Sequence, residues 1–441
     1  MVNKIIYIHP FTPINFTATI PVSIPALIHN LPYKVNGYFD HEINAEILIN
    51  AEIAIIDIHW SISLAGAQKL ILKLREFKKN MVIIAGGITA SLYAKHLVEI
   101  FDIDYIIRGE AEIPLMLLIQ AIFDGGDVSK IPNLVSKTGL ETTWNYSLSE
   151  ETFNNNKYYD IDFFPSFKRE MIKAHKVNNN QPSITFYPFI VSFKGCNTLC
   201  STCAGGAKQQ QIHAKRKRII RSPERVKEDL LMFSADKDFH LVNCTEDYTT
   251  LASPEYAENI LSIKYDLFTF HEFASMPSME ILEMFLNSFK GGKLYFSIDD
   301  QHSTSMNFNQ PEMMVKLIKK ARSSGRYSVF LLYNSRFAKI NKDYAQAVKY
   351  IMFKTACIIY DANWWWYSDI PQPDLYGNAP IEDFKRYYDK SAMSASEITE
   401  NILGRAFMKI EKILPRNTSD QMRNMYYYIF SNAPFLFKQL F

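Results

Sequence analysis

Residues 195–206 read GCNTLCSTCAGG, a C-x3-C-x2-C run that puts Cys196, Cys200 and Cys203 within eight positions. Three thiolates at this spacing can hold three irons of a [4Fe–4S] cluster and leave the fourth iron without a protein ligand. An open metal position is where a small molecule can coordinate and react, as in catalytic rather than structural zinc sites. Structural zinc takes four ligands, often as two C-x2-C pairs. His213 could complete such a site, but it lies in a polar stretch with no matching pair. The iron–sulfur reading is favoured; zinc, and three cysteines that merely share a turn, are the alternatives. The whole chain of 441 residues has five cysteines. A disulfide framework would spread them through a short secreted chain. With no signal-peptide pattern and no long apolar run, the expected location is the cytoplasm, without a membrane partner.

Outward from the cysteines, residues 183–193 form a strand-like stretch that runs straight into the run. Beyond it, strands are expected at 238–243, 267–272, 293–298, 328–333 and 355–360. Helices fit between them at 223–233, 279–289 and 311–323. Together with 190–193 this makes about six strand–helix units, compatible with a full or partial (β/α) barrel. The cysteines would then sit at the carboxyl-end face, where barrel enzymes do their chemistry. Upstream, strands are expected at 4–9, 52–58, 81–85 and 104–107, and helices at 67–79, 91–100 and 113–123. The strands are continuously apolar, which implies a parallel sheet covered on both faces. In such sheets ligands bind beyond the carboxyl ends of the strands. The resulting division is an α/β domain at 1–140, a linker at 141–182 with one helical piece near 167–176, a partial barrel at 183–365, and a small α-rich C-terminal capping region at 366–441.

The cysteine segment resembles the radical S-adenosylmethionine superfamily. Residues 221–230 (RSPERVKEDL) look like the stretch that follows the cluster loop in many members. Residues 295–303 (YFSIDDQHS) sit where members carry a strand whose polar end meets the ribose or amino-acid part of the cofactor. The resemblance implies a partial (β/α)6 barrel whose open iron binds the amino and carboxylate groups of S-adenosylmethionine. One electron, from an external flavodoxin- or ferredoxin-like donor, would then yield a 5′-deoxyadenosyl radical that abstracts hydrogen from an unactivated carbon. By position, Asn243, Glu246, Ser297 and Asp299 are the candidate S-adenosylmethionine residues. The chain departs from the family at Thr202, where an aromatic residue usually precedes the third cysteine, and near Met306, where relatives carry an arginine.

The first 140 residues carry a second resemblance. Three polar strand ends fall on one sheet edge: 57–61 (DIHWS), 86–89 (GGIT) and 108–114 (RGEAEIP). Two glycines at a strand–helix turn let backbone approach a ligand. The set resembles the Rossmann-like cobalamin-binding domain that precedes the barrel in one large branch of radical S-adenosylmethionine enzymes. It implies His59, Ser61, Gly86, Gly87, Thr89, Gly109 and Glu110 as cobalamin-binding residues. The D-x-H-x-x-G motif of cobalamin mutases is absent; that place reads His9-Pro10-Phe11-Thr12-Pro13. His59 follows a later strand, so a hydrogen-bonding or core role is favoured over cobalt ligation.

The combined resemblance implies a cobalamin-dependent methyltransferase acting on a small molecule or peptide, with a [4Fe–4S] cluster, S-adenosylmethionine and cobalamin as cofactors. One S-adenosylmethionine would remethylate cob(I)alamin, and a second would supply the radical. A non-methylating radical enzyme (cyclising or rearranging) and a non-catalytic corrinoid or iron–sulfur sensor or carrier are the alternatives. Lys+Arg 48 against Asp+Glu 46 leaves a net charge of +2, which does not point to nucleic acid. The basic run 215–218 with Arg221 reads as a solvated face, and the aromatic run 364–367 as packing. Cys244 and Cys357 stand alone, too few for a second cysteine-ligated cluster.

Overall fold

The computed structural model describes residues 4–11, 20–177, 188–196, 211, 213–244, 247–250, 252–298, 309–333 and 341–361, with 382, 384, 385, 388 and 389. Cys200, Cys203, Glu246, Asp299 and the aromatic run 364–367 lie outside the described residues.

The first half is built on a six-stranded sheet, in the order β2 (Val35–Phe39), β1 (Ile5–His9), β3 (Ile53–Asp57), β4 (Val82–Gly86), β5 (Tyr105–Ile107), β6 (Leu134–Ser136). Only the β5–β6 pairing is antiparallel; β1 to β5 run parallel. β3 reads IAIID and is buried along its whole length, as expected of a β-branched strand covered on both faces. Side chains alternate between two cores. Ile5, Tyr7, Ile53 and Ile55 face one, while Ile6, Ile8, Ala54 and Ile56 face the other. The second core is closed by the helix Leu64–Phe77, whose Leu64, Ala67, Leu70, Ile71 and Leu74 recur at helical spacing and are buried. The helix expected at 91–100 is two pieces, Ile88–Leu92 and Ala94–Ile100, which break at Tyr93. Tyr93 points its ring into the second core.

The second half holds a five-stranded parallel sheet in sequential order: β9 (Leu241–Cys244), β10 (Phe268–Phe273), β11 (Gly291–Ser297), β12 (Tyr327–Tyr333) and β13 (Ile358–Asp361). Residues 188–190 extend its edge, since Ile190 N–H donates to the Asn243 carbonyl at 2.8 Å and Asn243 N–H to the Pro188 carbonyl at 2.8 Å. A short ladder, β7 (Phe193–Lys194) against β8 (Ile219–Ile220), follows directly. The strand expected at 355–360 begins later, at Ile358, because Thr355 closes the helix Lys342–Thr355 and Ala356 takes the left-handed cap.

The helices over this sheet start at legible signals. Ser222, Ser253 and Ser278 each cap a helix by accepting the N–H three residues on, and two of the three are followed by proline. The outward face of the strands packs on these helices through Phe273, Phe285, Phe289 and Phe296. The other face carries a separate aromatic stack, Phe270–Tyr295–Phe330, with both ring spacings 4.7 Å.

Within 141–182 the structure forms two helices, Glu150–Asn155 and Pro165–Val177. Phe164, Phe167 and Met171 are fully buried in a core that contains residues of both sheets. Phe164 meets Tyr7 edge-on at 5.9 Å, so this layer joins the two halves. Late in the chain, Phe384 packs on Tyr93 at 5.4 Å and on Phe101 at 6.0 Å, and the Tyr388 hydroxyl donates to Gln68. No helix among the described residues is long and apolar enough to cross a membrane.

Candidate active site at the seam of the two halves

The carboxyl ends of β1, β3, β4 and β5 form one edge, and the segment entering the cysteine run meets it. β7 ends at Lys194, followed by Gly195 and Cys196. Lys194 Nζ lies 3.1 Å from Glu110 Oε1 and 3.6 Å from Glu112 Oε1, both on the turn after β5. Arg216 adds a second cation on Glu110 at 2.5 Å, and the Leu148 N–H donates to the same carboxylate. Burial pushes Glu110 upward, but the Lys194 and Arg216 cations outweigh it and hold the carboxyl below its ordinary value. Burial likewise pulls Lys194 down, and Glu112 and Glu110 reverse this and hold it above the usual lysine range. Two cations and two carboxylates thus make a neutral, largely water-excluded clamp two residues before the first cysteine.

Cys196 is half-buried. Arg218 is within electrostatic reach of it and holds its guanidinium 5.5 Å from the Phe193 ring centroid. A cysteine just past a strand end, near a cation, suits a metal ligand. The basic run is a solvated face only in part: Lys215 and Lys217 are exposed and Arg216 and Arg218 half-buried. Arg216 is spent on Glu110, Lys215 sits 4.4 Å from the Trp144 ring centroid, and Arg221 is buried against Asp229 and the Val191 carbonyl. Lys215, Arg216 and Arg221 find partners within the chain because the fold brings Trp144, Glu110 and Asp229 to them.

The glycine turns are close-packed for identifiable reasons. Gly87 has φ +111°, and a Cβ there would lie 2.8 Å from both His59 Cα and the Ile58 carbonyl oxygen. Only glycine fits that turn. Gly86 has more room: a Cβ would meet only the Ile107 carbonyl, at 3.6 Å. Gly109 (φ +70°) is pressed by the His213 carbonyl, which also accepts the Trp144 indole N–H at 3.2 Å. Thr89 Oγ1 donates to the His59 carbonyl at 2.9 Å. Ser91 bridges the two turns, donating to Gly87 and accepting from Gly109 N–H at 2.8 Å. Ser61 is buried at the first residue of a short 3-10 turn. The structure therefore gathers His59, Ser61, Gly86, Gly87, Thr89, Gly109 and Glu110 on one edge.

Burial, reinforced by Lys194, lowers His59 to about 4 and His213 to about 3, so both present neutral imidazoles near the seam. His213 lies by Trp144, with ring centroids 6.2 Å apart. On the second sheet, Asn243 and Ser297 are buried at the carboxyl ends of β9 and β11.

Sequence reasoning missed the group beneath this edge. Tyr7 donates its hydroxyl to Asp57 Oδ1 at 2.6 Å, and His9 Nδ1 meets the same oxygen at 2.9 Å. His9 and Asp57 end β1 and β3, which are neighbours in the sheet, so a polar residue closing each of two paired apolar strands was the available signal. The other ring nitrogen of His9, Nε2, is buried with no hydrogen-bond partner among the described residues. An orphaned nitrogen on the edge and the room at Gly86 fit a metal-bearing ligand there. The Cys196 thiol fits a cluster ligand.

Comparison with known proteins gives the fold. No protein-family model and no curated protein sequence matches the chain. Among solved structures, it resembles the radical S-adenosylmethionine methyltransferase TsrM from Kitasatospora setae, determined with cobalamin and a [4Fe–4S] cluster bound, at TM-score 0.57 and 14% identity. That match covers 81% of this chain and 74% of TsrM. A second structure of TsrM, with its tryptophan substrate and an S-adenosylmethionine analogue, matches equally well over 80% of this chain and 72% of TsrM. The cobalamin-dependent S-adenosylmethionine radical enzyme OxsB, with aqua-cobalamin and S-adenosylmethionine bound, matches at TM-score 0.56 and 13% identity, over 88% of this chain and 56% of OxsB. The chain thus spans little more than half of OxsB. It has the α/β fold of these cobalamin-dependent radical S-adenosylmethionine enzymes.

Proposed function

We propose that this chain is a cobalamin-dependent radical S-adenosylmethionine enzyme that methylates an unactivated carbon of a small molecule or peptide. The observation that carries the reading is the seam. The strand entering the C-x3-C-x2-C run is tied by Lys194 to Glu110 on the carboxyl edge of the first sheet, so the two cofactor positions implied by the sequence face one another. Likeness to TsrM and OxsB supports the α/β fold, and in this reading the second half is a partial barrel of six strand–helix units.

In this reading Cys196, Cys200 and Cys203 hold the cluster. Asn243, Glu246, Ser297 and Asp299 orient S-adenosylmethionine. The edge from His59 to Glu110 receives the corrinoid. When bound, the cluster with S-adenosylmethionine supplies a radical able to take hydrogen from carbon, and the corrinoid supplies the methyl group. The chain's own residues bind, orient and exclude water. The Lys194–Glu110–Glu112–Arg216 clamp fixes how the cysteine strand meets the edge, and the neutral His59 and His213 add no charge beside it. An external flavodoxin- or ferredoxin-like donor provides the electron, which places the enzyme in the cytoplasm.

Anaerobic reconstitution tests this. The expected result is about four irons per chain, lost in Cys196→Ala, with corrinoid retained by both proteins. Turnover should give S-adenosylhomocysteine together with 5′-deoxyadenosine. Deoxyadenosine alone would mean a non-methylating radical enzyme, and no reductive cleavage at all would mean a carrier or sensor.

A further inference from the structure

We propose that the exposed lysines of the basic run, Lys215 and Lys217, form with Arg218 the docking surface for a small acidic one-electron carrier protein. The proposal rests on the iron–sulfur reading above and names the face of this chain through which the electron enters.

Charge is unevenly divided along the sequence. Residues 171–223 contain nine Lys and Arg and no Asp or Glu, whereas the rest of the chain carries 39 Lys and Arg against 46 Asp and Glu. All three cysteines of the C-x3-C-x2-C run lie inside this acid-free stretch. The overall charge of +2 is thus the sum of a cationic segment and an otherwise acidic protein. An excess over the whole domain would point to nucleic acid. An excess confined to the segment that carries the cluster ligands points to an acidic partner that must come close to the cluster.

The fold sorts these cations into two sets. Lys194 and Arg216 are held on Glu110, and Arg221 on Asp229. Lys215 and Lys217 are exposed and make no ion pair among the described residues. Lys215 Nζ stands 4.4 Å from the Trp144 ring centroid, a contact that directs the ammonium without neutralising it. Arg108 lies over the same ring at 5.0 Å and takes Glu141 for itself. The carboxylates beside the β7–β8 ladder are no screen either: Glu110 and Glu112 have side chains 1% and 7% exposed and already hold cations.

Register places the lysines by the cluster loop. β7 and β8 run antiparallel, with Lys194 opposite Ile219. Lys217 and Arg218, which precede Ile219, therefore flank Gly195 and Cys196, which follow Lys194. Arg218 is within electrostatic reach of Cys196. At this face one electron leaves the reduced carrier and enters the cluster: the carrier is oxidised by one, the cluster is reduced by one, and no bond or proton moves. Exposed ion pairs are individually weak, which suits a carrier that must leave once it has delivered. Their effect falls on the rate of encounter.

The test uses the reconstituted full-length protein, with an acidic flavodoxin and an acidic ferredoxin as probes. Binding is read by biolayer interferometry, and cluster reduction by the loss of visible absorbance in stopped flow. Lys215→Glu/Lys217→Glu should bind whichever carrier reduces the parent at least about 10-fold more weakly and be reduced by it as much more slowly, while dithionite reduces parent and variant alike. Lys215→Arg/Lys217→Arg should keep the parental values. Added salt should slow the parent far more than the charge-reversed variant. Because Lys215 packs on Trp144, each variant is checked by thermal melting; if the double variant is unfolded, Lys217→Glu alone decides, with a slowing of about 3-fold. Three results overturn the docking surface and leave the iron–sulfur reading intact: carrier binding and reduction unchanged by charge reversal, tighter binding of a short oligonucleotide than of either carrier, or a parent that dithionite reduces and neither carrier does. A parent that assembles no cluster overturns both.

Discussion

Replacing Lys194 by methionine keeps its bulk and removes one charge from a neutral set of four. Arg216 and the Leu148 N–H remain on Glu110. Glu112, 7% exposed at its side chain, keeps among the described residues the N–H of its neighbour Ala111 at 3.1 Å and is left as the uncompensated charge. Removing one partner of a buried pair costs about 3–5 kcal/mol. Because the Lys194 side chain is 30% exposed, the lower figure applies. At roughly 2 °C per kcal/mol for a long chain, about 3 kcal/mol lowers Tm by about 6 °C. The double variant Lys194→Met/Glu112→Gln restores neutrality and should recover at least about half of the loss, a coupling of about 1.5 kcal/mol. Urea midpoints and thermal melts of the four proteins in the cycle give both quantities. A Lys194→Met protein within about 0.5 kcal/mol of the parent, the range of ordinary surface changes, refutes the clamp. So does a double variant that loses the sum of the two single effects.

Gly87→Ala should cost about 3 kcal/mol or more, since its φ of +111° is strained for alanine and its Cβ would strike backbone, whereas Gly86→Ala should stay within about 1 kcal/mol; equal urea midpoints would contradict the packing of this turn. Stability should fall as pH drops below about 6.5, because unfolded histidines take up protons that His59 and His213, lowered to about 4 and about 3, refuse in the folded chain. Replacing both by glutamine should flatten the urea-midpoint profile between pH 6.5 and 4, and an unchanged slope would assign it elsewhere. Glu110 and Lys194 act outside that window: the Glu110 contribution is lost as pH falls through its lowered value, and that of Lys194 as pH rises through its raised one. Phe384→Ala should cost about 3 kcal/mol and expose the Tyr93 region to proteolysis; unaltered melting would mean that the contact contributes nothing.

Strands with continuous Ile and Val, and the serine-capped helices at 223–233 and 279–289, were legible in the sequence because the cause is local: an unbroken apolar run, or a cap within four residues; the helix Pro254–Leu261, which opens on the same Ser-Pro-Glu as the first, was passed over. β2 (VNGYF) escaped because its burial alternates, with Asn36 and Tyr38 half-exposed, and it lacks the apolar run of its neighbours. Thr355 was read as strand because β-branched residues favour strands, while the structure keeps it in a helix with its hydroxyl on the Ile351 carbonyl. The site divided along the same line. The cysteine spacing and the two-glycine turn are local patterns. The Lys194–Glu110 pair joins positions 84 residues apart in the chain, and the His9–Asp57 pair positions 48 apart, so only the folded register brings them together.

The contact of Phe384 and Tyr388 with the first sheet sets an order on biosynthesis. Phe101 leaves the ribosome about 280 residues before Phe384, which at roughly 5–20 residues per second is about 14–56 s. During that interval the aromatic surface at Tyr93, His96 and Phe101 lacks its contact with Phe384, although its strands are complete. The first sheet is therefore finished by residues made long after it, and a fragment cut at residue 140 exposes an apolar surface that Phe384 covers in the folded chain.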